Sequence, residues 1–234
     1  MCGRFSLVQD PATKAPRLFT RDQRTEPFRP RYNIAPTQPV LAVVGNAGGE
    51  RSLGHLRWGL IPGWAKDPAI GNRLINARAE TVAEKPSFRT SFRRRRCVIL
   101  ADGFYEWQAV PGRKAKQPYR ITMRDDTIFA MAGLWDRWTS PDGEEIYSCT
   151  IITTRANALL EPIHHRMPVI LDGDPLDRWL DPSLDEPHQL LPLLDPFPAD
   201  AMAAWPVSTK VNNPRNDTPD VIVPLEEGGL PLGT

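Results

Sequence analysis

The sequence is poor in cysteine, has no excess of either charge and contains no long apolar run. Three cysteines, Cys2, Cys97 and Cys149, are spread through 234 residues. Their number is odd and no two form a CxxC pair, so neither a disulfide framework nor a zinc pattern is present. No metal or other cofactor is expected. No stretch approaches ~18 apolar residues, and residues 1–25 lack a signal-peptide core. The expected compartment is therefore the reducing cytoplasm, with no membrane partner and with Cys2 a free thiol. Lys and Arg total 29 against 28 Asp and Glu, a formal charge of +1. A nucleic-acid partner must then be held by a local patch, since net charge supplies no general attraction.

Proline, in contrast, is abundant at 25 residues, about twice its usual ~5%. The prolines sit among apolar and aromatic residues, as in Trp58-Gly59-Leu60-Ile61-Pro62, which predicts a rigid, turn-rich fold rather than disorder. Residues 40–44 and 53–60 read as strands flanking a turn at Gly45–Gly49. Residues 77–84 and 87–95 read as short helices split at Pro86, with Ser87 capping the second. Strand-like runs follow at 97–101, 104–108, 119–123, 127–134 and 145–154. Turn signals at Asp125-Asp126 and Pro141-Asp142-Gly143 predict antiparallel hairpins among the last three. Further short helices are expected at 155–161 and at 175–180, the latter capped by Asp174. A strand near 205–208 and a polar loop at 208–220 follow. The pattern is that of a mixed α/β (α+β) fold with a largely antiparallel sheet and peripheral short helices, without the βαβ rhythm of a doubly wound sheet.

Cys2 is the most informative position. Initiator methionine is generally removed before a small second residue, leaving an α-amine and a thiol on adjacent carbons. With ordinary pKa values of ~7.7–8.0 and ~8.5, a usable fraction of each is nucleophilic near pH 7. A 1,2-aminothiol reacts with an aldehyde through a Schiff base that the thiol closes to a thiazolidine. Position alone fits an inert small residue at a frayed end better. Glu106 lies between Tyr105 and Trp107 in a strand-like run, where partial desolvation raises a carboxyl toward general-acid range; an edge-strand Glu facing water is the plainer alternative. His164 and His165 precede Arg166-Met167-Pro168 and offer a proton shuttle or a satisfied structural imidazole. Asn76, at the expected start of a helix, fits an N-cap, and Arg78 two residues on can grip a phosphate. Arg93–Arg96 reads either as a solvated helix end or as phosphate contacts. Trp58, Trp64 and Trp107 can stack on unpaired bases or fill a core.

In chain order these pieces resemble the SOS response-associated peptidase (SRAP) domain, a family that recognises abasic-site DNA. The matching blocks are Met1–Phe5, Tyr32–Thr37, Trp58–Pro62, Asn76–Thr81, Ala101–Trp107, Ile163–Pro168 and Val207-Ser208. The resemblance implies one domain over 1–222, built round a barrel-like sheet with a basic DNA groove, and a tail at 223–234. It implies Cys2 as crosslinking nucleophile, with Asn76, Glu106 and His164 completing the catalytic set; His165 falls at the variable place in I-H-x-R-M-P. Arg4 and Arg78 match phosphate-holding positions, and Thr153 one lining the same pocket. Pro36 and Trp64 match positions that pack on bases beside the lesion, and Asn33 and Trp107 complete the expected DNA-binding set. The place after Trp64, aromatic in some members, is Ala65 here.

The function so implied is a covalent bond between Cys2 and an abasic site in single-stranded DNA, made by a monomer during the DNA damage response. Abasic-site lyase activity and self-removal of Met1 would accompany it. Two other classes read the same residues: a cysteine hydrolase acting on amides, and a non-covalent single-strand DNA binder.

Overall fold

The computed structural model describes residues 2–46 and 48–225, a single α+β domain of many strands and few short helices. The long apolar runs form β4 (Pro39–Gly45), β5 (Arg51–Trp58), β7 (Arg96–Ala101), β10 (Phe129–Thr139) and β11 (Glu145–Arg155). Antiparallel pairing runs β11-β10-β7-β4-β5. β5 then returns to β11 in parallel, with Ser148 opposite Arg57 and Cys149 opposite Trp58. The five strands thus close into a barrel, which removes the exposed edges an open sheet would keep. Every residue of β7 is buried, as expected where a strand is covered on both faces. Only hydrogen fits at Gly133 inside the barrel: a Cβ there would lie 2.8 Å from the Thr150 carbonyl and collide with Ile99.

A second, wholly antiparallel sheet runs β14 (Met202–Pro206), β9 (Gln117–Met123), β8 (Gly103–Gln108), β1 (Phe5–Leu7) and β3 (Arg31–Ile34). Short strands complete the barrel's sheet: β2 (Arg21–Asp22) on β5, β6 (Asn76–Arg78) and β12 (Arg166–Pro168) on β11, and β13 (Ile170–Leu171) on β10. β11 is therefore flanked on both edges, by β5 and then β6 on one and by β10 and then β12 on the other, and Thr153 pairs with Arg78 on one side and Pro168 on the other. Helices α1 (Pro11–Lys14), α2 (Arg89–Arg94), α3 (Gly173–Leu180) and α4 (Pro187–Leu190) lie outside the strands. No helix among the described residues is long and apolar enough to cross a membrane.

Several sequence expectations are corrected. Residues 77–84 are not a helix: the free edge of β11 captures 76–78 as β6, and turns follow. Asn76 is thus a strand residue, not an N-cap. α2 begins at Arg89, and its flanking residue is buried Phe88, not Ser87, with no side-chain cap; burial of a phenyl ring decides the start. Residues 158–163 form turns in place of a helix, with the Asn157 side chain accepting from the backbone N–H groups of Leu159 and Leu160 at 3.1 Å. α3 starts at Gly173, so Asp174 lies in its first turn and Asp172 flanks it. The Asp125-Asp126 turn makes no hairpin, because β9 pairs with β8 and β14 while β10 pairs with β7, β11 and β13. That turn crosses between the two sheets. The hairpins β4–β5 and β10–β11 form as expected. Of the tail expected at 223–234, Pro224 bridges Val207, and 226–234 lie outside the described residues.

Candidate active site

The site lies where β8 and the segment leading into β1 of the second sheet face Asn76 on β6 and His164 just before β12. Antiparallel pairing sets Phe5 opposite Phe104 and Ser6 opposite Gly103. Carried toward the chain start, that register draws Cys2 and Gly3 alongside Glu106. Phe5 packs on Trp58 with ring centroids 5.2 Å apart, and the Trp58 indole donates to the Ile75 carbonyl (2.9 Å). This packing ties the N-terminal strand to the segment leading into β6. Parallel pairing of β6 with β11 then places Asn76 opposite Ile151, and the Asn76 amide donates to the Cys2 carbonyl (2.8 Å). Its amide oxygen is buried and has no hydrogen-bond partner among the described residues, leaving an acceptor beside Cys2.

His164 follows the 158–163 turns and directly precedes β12. The Arg166 backbone N–H donates to its Nδ1 (3.1 Å), so a neutral ring carries its proton on Nε2. Nδ1 stands 3.8 Å from a Glu106 carboxylate oxygen, close enough for an ion pair once the ring is protonated. The Arg166 side chain grips Glu80 with two nitrogens and also donates to the Thr153 carbonyl. Its contact lowers the Glu80 carboxyl below its usual range. Arg166 was not singled out from the sequence, although it lies inside the Ile163–Pro168 block; its role depends on β12 lying on β11.

Burial sets the electrostatics. Glu106 is 2% exposed, and desolvation pushes its carboxyl up to about 7. Burial also lowers the His164 imidazole. The Cys2 thiol is raised well above its ordinary range, chiefly by burial and further by the Glu106 charge. This corrects the expectation of a standing thiolate fraction near pH 7: the thiol is held neutral and needs a base when it reacts. The neighbouring carboxyl and imidazole can each serve near neutral pH. Cys97 and Cys149 are free and buried in the core.

The expected DNA-contact residues fall in four places. Arg4 is half-buried, donating to the Asn33 amide oxygen (2.8 Å) and the Val211 carbonyl (2.7 Å), with its guanidinium 6.0 Å from the Trp107 ring. Asn33 is fully enclosed and donates to carbonyls of Val211, Asn213 and Asn216; it braces Arg4 and the 208–220 loop. The Trp107 indole donates to Asn212 (2.7 Å). These residues share the sheet that carries Glu106. Arg78 is exposed and lies opposite fully buried Thr153 in the β6–β11 register. Pro36 is half-buried in the turn after β3, just before Thr37 at a positive φ of 73°. Trp64 stands apart, 61% exposed on the loop that leaves β5 at Gly59. Gly59 has φ 123° and a Cβ there would lie 2.6 Å from the Gly71 carbonyl, so that turn requires glycine. In the arginine run, Arg96 is buried, donating to carbonyls of Trp179 and Asp181; it is a structural tie, not a phosphate contact.

Fold and site together define a closed β-barrel protein with a cysteine, a carboxyl and an imidazole gathered at the start of its chain. The chain belongs to the SOS response associated peptidase (SRAP) family, which it matches over residues 1–214. It is 47% identical to the abasic site processing protein YoqW of Bacillus subtilis, over 95% of this chain and 99% of that one. It is 38% identical to the abasic site processing protein HMCES of Gallus gallus, over 97% of this chain and 79% of that one. A crystal structure of a Bacteroides thetaiotaomicron protein superposes with a TM-score of 0.85 at 30% identity, covering 96% of this chain and all of that one.

Proposed function

We propose that the protein processes abasic sites by bonding Cys2, once it is the mature N-terminus, to the exposed aldehyde in single-stranded DNA. The observation that carries this reading is the enclosed Glu106 carboxyl, pushed up to about 7, beside both Cys2 and His164. An abasic deoxyribose is mostly a closed hemiacetal, and opening it needs an acid that is still protonated near neutral pH. Glu106 donates to the ring oxygen and the C1′ aldehyde forms. The Cys2 amine adds to C1′, water leaves, and an imine results. The neutral thiol then adds its sulfur to the imine carbon; its proton passes through Glu106 or His164 to the nitrogen. Aldehyde and aminothiol thus become thiazolidine and water, with no oxidant or reductant. Asn76 holds the Cys2 backbone, and its buried oxygen offers the amine an acceptor. If a base removes a C2′ proton before ring closure, β-elimination cleaves the strand as a lyase side reaction. Arg78 and Arg4 hold phosphates, Arg4 within the cluster of Asn33 and Trp107. The relatives' names, abasic site processing proteins, support the same substrate.

The test is a single-stranded oligonucleotide with one abasic site, mixed with mature protein and run on a denaturing gel. A shifted covalent band is expected from wild type and none from Cys2→Ala. Cys2→Ser keeps the amine without the thiol, so its adduct should appear only after borohydride. A stable band of equal yield from Cys2→Ala without reductant would overturn the mechanism. Turnover of an amide through an acyl-enzyme, without DNA, would instead favour a hydrolase.

A further inference from the structure

A groove of about 470 Å³ runs between the loop after β5 and helix α2, lined in part by Trp64, Thr90, Arg95, Arg137 and Tyr147. Trp64 and Tyr147 are large rings facing solvent, 61% and 43% exposed. Neither is loosely held. The Trp138 indole donates to the Ala65 carbonyl (2.7 Å), pinning the loop beside Trp64. Tyr147 stacks on Trp135 with centroids 6.2 Å apart and planes at 29°. Buried Asp136 on the groove floor accepts from Arg95 (2.7 Å) and from the Gly63 backbone N–H (3.1 Å). One carboxylate thus fixes both the guanidinium and the Trp64 loop.

The rim is basic. Arg137 is exposed and pairs with Glu145 at 3.1 Å. Helix α2, next to the lining residue Arg95 and itself lining the groove with Thr90, also carries exposed Arg89, Arg93 and Arg94. Of these, Arg93 stands 3.7 Å from Glu186, and Arg89 and Arg94 make no ion pair among the described residues. Rigid exposed rings interleaved with guanidinium groups suit single-stranded nucleic acid, because any base can stack on a ring and phosphates can bridge arginines. A folded-protein hot spot would bury its rings in desolvated pockets, whereas these rings stand exposed beside guanidinium groups.

We infer that the DNA track continues past Trp64 into this groove, which holds a stretch of single strand flanking the lesion. Tyr147 takes a base, and Arg95, Arg137 and the α2 arginines take phosphates. The inference rests on abasic DNA being the substrate. It explains what the exposed members of the Arg93–Arg96 run do while Arg96 serves the core.

Fluorescence anisotropy on abasic oligonucleotides of about 6 and about 20 nucleotides tests it, given site sizes of ~4–16 nucleotides for such surfaces. Wild-type protein should bind the longer strand more tightly. Arg137→Ala/Tyr147→Ala should remove roughly tenfold of that gain while leaving affinity and crosslinking for the short strand unchanged. Tyr147→Phe keeps the ring and should keep the gain. Arg89→Ala/Arg94→Ala, on an exposed helix face, should lower the log–log salt slope for the long strand by about two or less. Length-independent binding by wild type, or an unchanged length gain and salt slope in both double variants, would overturn the inference. Failure of wild type to form an adduct with even the short strand would instead overturn the reading of the substrate, and this one with it.

Discussion

Glu106→Gln should alter rate and stability in opposite directions, each with its own pH dependence. Burial raises the Glu106 carboxyl from an ordinary 4.5 to about 7. At about 1.4 kcal/mol per pH unit, ionising it costs on the order of 3 kcal/mol more in the folded chain than in the unfolded one. The folded-state pKa is the higher of the two, so this side chain imposes no penalty below about pH 4.5. Stability is then lost progressively as pH rises through 7. Glutamine fills nearly the same space without ionising. The variant should therefore match wild type near pH 4.5 and exceed it above pH 7, by up to about 3 kcal/mol. Urea melts across that range read the difference directly. Crosslinking should move the other way. Wild-type rates should fall above pH 7 as the acid ionises, and Glu106→Gln should be slower by roughly 10²–10⁴-fold below pH 7 with its final yield largely kept. A variant that crosslinks at the wild-type rate at pH 6 refutes the assignment of the acid. A stability difference that is flat from pH 4.5 to 8 refutes the burial argument beneath it.

Retained Met1 turns the Cys2 amine into an amide, so intact mass of active protein should show loss of one Met; full activity with Met1 wholly retained would contradict the Schiff-base route. Arg78→Ala and Arg4→Ala should weaken binding whatever the base sequence, each lowering the salt slope by about one unit or less. Arg4→Ala should also lower thermal stability, because it strips partners from Asn33 and the Val211 carbonyl, whereas exposed Arg78 has no such internal role. His164→Ala should depress strand cleavage and thiazolidine reversal more than crosslink formation in single-turnover assays, and equal effects on all three would remove its separate role.

The strands were legible because burial repeats along them. The runs at 97–101, 104–108 and 145–154 agree with β7, β8 and β11 to within two residues. The errors arose where a tertiary partner outweighed local preference. ARAETVAE is a good helix sequence, yet its neighbour Asn76-Ala77-Arg78 completes a barrel edge instead. Two aspartates signal a tight turn at 125–126, but nothing local says that the strands on either side join different sheets. Glu106 was legible as a desolvated acid from its aromatic neighbours, and burial agrees. The raised thiol of Cys2 was not, because position two says nothing about what will cover it.

What no local pattern could disclose is that β11 is flanked by short strands on both edges, and the candidate chemistry depends on it. β5 and β6 take successive stretches of one edge and β12 takes the opposite one, with Thr153 paired to both Arg78 and Pro168. β6 brings Asn76, β12 follows directly on His164, and the Trp58–Phe5 packing at the end of β5 holds the N-terminal strand that carries Cys2. Asn76 and His164, 74 and 162 positions along from Cys2, therefore converge because one long strand holds short partners on both its edges, and Glu106 reaches them from β8 of the other sheet. Arg166 joins two of those partners by reaching from β12 to Glu80, just beyond β6, and to the Thr153 carbonyl between them. A change that loosens both strands from β11 should act on Asn76 and His164 together. Arg166→Met keeps much of the stem but drops the grip on Glu80 and Thr153, so it should loosen both residues at once. Crosslinking and cleavage should then fall in parallel, unlike the split expected of His164→Ala, and loss of only one activity would show that β11 is not the common support.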